Sequence, residues 1–307
     1  MRRLKLMLLA LLAVTLAGCK PLVADEEKLL TVYATFYPIY ALTDALMTDI
    51  PDAALHCLVQ PQDGCLRAYQ LSDWDAYMLA SADAVICGGR GLESFESLLF
   101  RSGEKGPAVF VALYNLDLYE GKADADREES HLDGPNPHLY MSISGAKLML
   151  EGIAGALISL DPRYSDAYSA NLDRTEAELD QLFKDMRDAA GNIEGQSVAL
   201  MNEALIYTAN DLGLQAAAWI ERESGEGLYG DALKDCIERL DASGAKVVLI
   251  EKQAPASLIE SLESAGFAVA RLDVLSTHRE ADGFDGYIEA QMNNARAIGR
   301  AFEEIRR

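Results

Sequence analysis

Four histidines stand in the 307-residue chain, at positions 56, 131, 138 and 278. Imidazole is a common metal ligand and the side chain that titrates nearest neutral pH, so these rings are the first candidates for chemistry. His138 directly follows a proline in PNPHLYMS (135–142), just ahead of a long helical stretch, which raises the question of a ligand and its partners. His131 precedes it within an acidic run, and His56 falls in a strand-like run where packing or edge exposure is the plainer role. Cys57, Cys65, Cys87 and Cys236 contain no Cys-x-x-Cys pair, so they make an unconvincing zinc cage. Cys57 and Cys65 could close a short loop, or all four could be small buried residues. GxSxG, GxxxxGK[ST] and HExxH are all absent. GGRGLES (88–94) follows a strand and opens a helix, as phosphate-binding turns do, but lacks the dinucleotide spacing. A tight strand–helix turn accounts for it, and with no nucleophile–base pair to name, the chain is expected not to be an enzyme.

The elements that must position these residues follow from periodicity. LLTVYAT (29–35), ALHCLV (54–59), DAVIC (83–87) and AVFVAL (108–113) read as short buried strands. Helical segments separate them: Pro38 sits at a favoured first-turn position, Ser72 and Asp75 have capping-box spacing, and LESFESLLF follows Gly91. Residues 120–134 are polar and acidic without apolar period, hence a loop. Helices are expected over about 142–160 and 165–190, the second with an apolar stripe of Tyr168, Leu172, Leu179, Leu182, Phe183 and Met186. The alternation restarts with strands at 197–201, 214–220, 245–251 and 267–273, and a last helix runs from about Tyr287 to Ile305. The expected fold class is α/β: two α/β lobes with mostly parallel sheets, joined by one long linking helix.

The N-terminus has two arginines and a lysine, an apolar run, then Leu16-Ala17-Gly18-Cys19. That pattern reads as a secretory signal too short for a convincing membrane span, and its end resembles a bacterial lipobox with Cys19 lipidated. No other apolar run reads as long enough to span a bilayer. The expected division is signal peptide 1–18, lipidated tether 19–28, N-terminal lobe 29–161, linking helix 162–192 and C-terminal lobe 193–307. Net charge is −22, and about −25 once Arg2, Arg3 and Lys5 are set aside. Without a basic stripe to neutralise phosphates, nucleic acid is excluded as a partner.

Longer stretches carry a family resemblance. QPQDGCLRAYQLSDWDAYMLASADAVICGGRGLESF (60–95), NPHLYMSISGAKLMLEGIAGALISLDP (136–162), DPRYSDAYSANLDRTEAELDQL (161–182), MNEALIYTANDLGL (201–214), VVLIEKQ (247–253) and ARLDVLS (270–276) occur in that order. Together they resemble the zinc- and manganese-binding solute receptors of bacterial ABC importers, over essentially the whole mature chain. The resemblance implies a divalent metal ion, zinc or manganese, held as ligand between two lobes by four side chains. Carried over one position at a time, it assigns His138 and Asp273 as metal ligands. It places Arg67 where the family has histidine, and Asn202 where the family has His or Glu. Guanidinium has no lone pair to donate. At 4 Å and an effective dielectric of 20 it would repel a divalent ion by roughly 8 kcal/mol, against roughly 10–16 kcal/mol for a tight structural zinc site. An Arg67–Asp273 ion pair would fill the metal's place. His278, five residues past Asp273, His131 and Asn202 are possible replacement ligands.

The expectation is therefore an extracytoplasmic lipoprotein, a monomer anchored by lipid to a bacterial membrane on its cell-surface or periplasmic side. It would capture a divalent cation in the cleft, in a modified and weaker site, and pass it to an ABC-importer permease. The alternative is the same scaffold repurposed for a non-metal small ligand or as a surface interaction protein.

Overall fold

The computed structural model of the protein describes residues 29–61, 66, 69–101, 106–114, 116, 136–221 and 227–307. Its strands form two four-stranded sheets in which every pairing is parallel. The first has the order β2-β1-β3-β4, with β1 Leu30–Ala34, β2 Ala53–Cys57, β3 Ala84–Cys87 and β4 Ala108–Val111. The second has the order β6-β5-β7-β8, with β5 Ser197–Leu200, β6 Gln215–Trp219, β7 Val247–Glu251 and β8 Ala268–Leu272. Parallel sheets are covered on both faces and need continuous apolar strands. AVIC of β3 and VVLIE of β7 are buried along their whole length, with Glu251 the one carboxylate among them.

The helices are α1 Tyr37–Met47, α2 Asp73–Ala80, α3 Glu96–Leu99, α4 Ile143–Leu160, α5 Ser165–Ala190, α6 Ile206–Asp211, α7 Gly230–Ala242, α8 Ala256–Ser264 and α9 Gly283–Glu304. Ser72 starts α2 with the expected capping box: its hydroxyl accepts from Asp75 N, and the Asp75 carboxylate accepts from Ser72 N at 2.7 Å. α5 joins the two sheets and spans roughly 39 Å at 1.5 Å per residue. It buries Tyr168, Thr175, Leu179, Leu182, Met186 and Ala190. Leu172 and Phe183, expected in this stripe, sit half-buried at its margins, and Thr175 takes an inner place by bonding back to Asn171 O at 2.7 Å. α9 packs on α5, on β8 and on α1 of the first sheet, so the C-terminal helix clamps both halves. Gly299 allows the close α9–α5 approach, because a Cβ there would lie 2.7 Å from Ala189 O.

Three expectations change. LESFESLLF yields only the single turn of α3. Its first acidic residues bind the preceding turn instead: Glu93 accepts from Gly88 N (2.6 Å), Gly89 N (2.9 Å) and the Thr35 hydroxyl (2.6 Å), and Glu96 accepts from Gly91 N (2.8 Å). The last helix starts at Gly283, ahead of Tyr287. α4 is, by length and composition, apolar enough to cross a membrane. Its Ile143, Met149, Leu150, Ile153 and Leu157 are nevertheless core residues, packed where α4 meets α1 and α5.

Cys57 carries a free, buried thiol 3.4 Å from Val59 O, so no short disulfide loop starts there. Cys65, Cys19, Arg67, His131 and the acidic loop 120–134 lie outside the described residues.

Candidate metal site

Ligands of open α/β sheets sit beyond the carboxyl ends of the strands, and the candidate residues gather there. Phe36 and Tyr37 follow β1, Asn202 follows β5, Glu251 ends β7 with Lys252 after it, and Asp273 follows β8.

His138 precedes the 3-10 turn Leu139–Met141 that leads into α4. Asn136 forms an Asx turn with it: Asn136 Oδ1 accepts from His138 N at 3.1 Å. The same oxygen lies 2.8 Å from His138 Nδ1. An amide oxygen can only accept, so Nδ1 carries the proton and the ring's lone pair is on Nε2, the arrangement of a metal-binding histidine. The second half of the chain fixes Asn136 in this orientation. Its Nδ2 donates to Glu203 O at 2.7 Å, and Tyr207 donates its hydroxyl to Asn136 O at 2.7 Å. Further along the same segment, the Tyr287 hydroxyl donates to Tyr140 O (2.8 Å) and the Thr208 hydroxyl to Met141 O (3.0 Å). Asp211 closes the seam by accepting from the Ser142 hydroxyl at 2.9 Å and from Ile143 N at 2.6 Å.

Asp273 is held by its own end of the second sheet. Asn294 grips its backbone from both sides (2.7 and 2.9 Å), and Leu275 N donates to Oδ1 at 2.8 Å. Oδ2 receives two partners: His278 Nε2 at 3.0 Å and the Lys252 ammonium, which also forms an ion pair with it. Burial works against the charge of Asp273, but the hydrogen bonds from His278 and Lys252 outweigh it and hold the carboxyl at about 2, below its ordinary 3.8. Among the described residues the cation on Asp273 is Lys252; an Arg67–Asp273 pair would involve a residue outside them.

His278, a possible replacement ligand, meets Asp273 here as a hydrogen-bonding neighbour. Its Nε2 faces Asp273, its Nδ1 lies 3.4 Å from Asp282 Oδ2, and its ring stacks on Tyr37 at 4.7 Å. Phe36, the residue before Tyr37, packs edge-on against Tyr140, which in turn meets His138 at 6.0 Å. The end of β1 therefore touches the surroundings of both candidate ligands.

Asn202 turns elsewhere. Its Oδ1 accepts from Ala204 N at 3.2 Å to start the turn before α6, and its Nδ2 donates to the buried Glu251 carboxylate. Among the described residues no three or more of His, Cys, Asp and Glu form a group that could hold a metal ion. His56 lies in β2 and packs on Tyr33 at 5.1 Å, in keeping with a structural role.

Sequence reasoning passed over Asn136, Glu251 and Lys252. Asn136 had a local signal, the Asx position two residues before the histidine. Lys252 had none, because its neighbour is set by register: β7 pairs with β8 so that Glu251 lies opposite Leu272, which brings the next residues, Lys252 and Asp273, side by side.

The family described as the periplasmic component A of the zinc-uptake complex matches this sequence over residues 32–301. Over 284 residues the chain is 25% identical to the high-affinity zinc uptake system protein ZnuA of Bacillus subtilis (strain 168), covering 88% of this chain and 86% of that protein. It is 23% identical over 321 aligned positions to the zinc-binding lipoprotein AdcA of Streptococcus pneumoniae (strain ATCC BAA-255 / R6), covering 99% of this chain and 62% of that longer protein. In three dimensions it is similar to the solute-binding protein FpvC from Pseudomonas aeruginosa in complex with Mn2+, with a TM-score of 0.78, 25% identity, and coverage of 91% of this chain and 100% of that one.

Proposed function

Because the chain belongs to the family of periplasmic A components of zinc-uptake complexes, non-enzymatic receptors that bind a divalent metal, we propose that it captures zinc or manganese between its two lobes in a modified, weaker site. Delivery would be to an ABC-importer permease, with no chemistry on the cargo. His138 and Asp273 supply one imidazole lone pair and one ionised carboxylate.

The observation that carries the reading is the set of supports around these two residues. Asn136 accepts at His138 Nδ1, which leaves the ring's lone pair on Nε2, and Asn294 fixes the carboxylate backbone. Weakness is inferred from what surrounds them. Asn202 is engaged with Glu251, His278 with Asp273, and a lysine ammonium already sits on Asp273. Two ligands opposed by a nearby cation leave tetrahedral coordination incomplete.

The organisation proposed for the chain is a signal peptide over 1–18, a tether over 19–28 lipidated at Cys19, lobes at 29–161 and 193–307, and a linking helix between them. Leu16-Ala17-Gly18-Cys19 supports the anchor. Cys19→Ala is expected to leave the protein unprocessed or released, as followed by membrane fractionation; normal processing and membrane partition would refute it.

Titration calorimetry with zinc and with manganese tests the function. Micromolar or poorer binding, abolished by His138→Ala and by Asp273→Ala, is the expected result. No metal binding at all would favour the repurposed scaffold, a reading to which the ready-made Lys252–Asp273 pair lends its own support.

A further inference from the structure

We infer that Lys252 is a tethered cation occupying the cargo's place on Asp273, so that a metal ion is bound only by displacing it; the inference rests on the metal-receptor reading above.

A carboxylate oxygen has two lone-pair directions. Asp273 Oδ2 has both engaged, by His278 Nε2 and by Lys252 Nζ, while Oδ1 accepts from Leu275 N. A second cation of ordinary ligand distance therefore meets either an occupied lone pair or the lysine charge beside it. His278 cannot easily give way, because it is stacked on Tyr37 and its other nitrogen lies beside Asp282. Lys252 can. Its side chain is 37% exposed, against 15% for Asp273, and its ammonium rides on a flexible four-carbon stem that can turn into water with its charge solvated.

The lysine thereby does two things. Without metal it sets a positive charge against a partly buried carboxylate whose other partners are His278 Nε2 and Leu275 N. With metal present it sets a threshold: only an ion that draws on Asp273 and His138 together replaces the ammonium, and a monovalent ion does not. The residue is specificity-determining because of its charge, and the β7–β8 register that delivers it is part of the sheet.

The test is zinc titration of the wild type, Lys252→Met, Lys252→Arg and Lys252→Met with Asp273→Asn. Lys252→Met keeps the stem and removes the charge, and is expected to bind zinc tighter by on the order of 100-fold. Lys252→Arg should stay near wild type, and adding Asp273→Asn should erase the gain. A second readout needs no variant. Acylation of Lys252 in the wild type, followed by peptide mass spectrometry, should speed up when zinc saturates the protein, since the amine is released from Asp273. If Lys252→Met binds no tighter while His138→Ala still weakens binding, or if zinc leaves the acylation rate unchanged, the inference fails and the metal reading stands. If neither wild type nor Lys252→Met binds zinc or manganese, both fail together.

Discussion

His138 Nδ1 lies 2.8 Å from Asn136 Oδ1, and this contact sets which ring nitrogen carries the lone pair. The amide itself is oriented by Glu203 O from the other half of the molecule, so the ring's tautomer depends on the two lobes being docked. Asn136→Ala is expected to weaken zinc binding by roughly 10–100-fold, the usual effect of losing a ligand's hydrogen-bond partner. Asn136→Asp, which keeps the acceptor, should retain more of it. Equal affinities for wild type and Asn136→Ala, measured by calorimetry, would show that Asn136 does not position the ring.

Gly286 lies in the first turn of α9, and a Cβ there would come within 2.4 Å of the Tyr37 hydroxyl and 2.7 Å of Asp282 Cβ. Tyr37 donates to Gly283 O at 2.7 Å and stacks on His278. Gly286→Ala should therefore destabilise by about 1–3 kcal/mol through overpacking. Gly155, in α4, has nothing within 4 Å of its added Cβ. There the same change should stabilise by about 0.5–1 kcal/mol, from helix propensity alone. Urea unfolding of the two variants should move in opposite directions; a shared direction would contradict the packing at α9.

Burial raises the Asp211 carboxyl to about 6 from its ordinary 3.8, despite the hydrogen bonds it accepts from Ile143 N and the Ser142 hydroxyl. The folded state therefore holds this proton more tightly than the unfolded chain does. Its contribution to stability is full below about pH 4 and is lost as pH rises through about 6. Between pH 4.5 and 7.5 the loss comes to about 2 kcal/mol. Asp211→Asn has no such proton, so the stability of wild type relative to the variant should fall by about that amount over the interval. A difference independent of pH would exclude this linkage.

Glu93 is buried and gathers the two amides of Gly88 and Gly89 together with the Thr35 hydroxyl. Glu93→Ala strands these donors and should cost about 3–5 kcal/mol. Glu93→Gln, which keeps one acceptor, should cost less. Because the chain's own carboxylate fills the turn, inorganic phosphate should not raise the thermal midpoint of the wild type. A clear rise with phosphate would reopen an anion site at 88–94.

The elements themselves were legible in the sequence. Apolar runs such as VVLIE, the Ser72–Asp75 capping box and the α5 stripe are local patterns whose burial follows from strand and helix periodicity, and they appear where periodicity puts them. His138 was marked by its own short motif, while Asp273 entered only through resemblance to a family. What the sequence by itself could not determine is which side chains meet across chain distances: Lys252 on Asp273 is 21 residues away, and Asn136 on Glu203 is 67 away. The first depends on the register of two parallel strands and the second on the docking of two lobes. α3 was misjudged for the same reason. The acidic residues of LESFESLLF read locally as helix, but Glu93 is taken by the buried amides of Gly88 and Gly89, and only from Glu96, which accepts from the exposed Gly91 N, does a helical turn follow. Periodicity records whether a side chain faces the core or water; only the tertiary structure decides which polar group it meets there, because unpaired polar atoms are costly to bury and are satisfied by whatever the packing brings near.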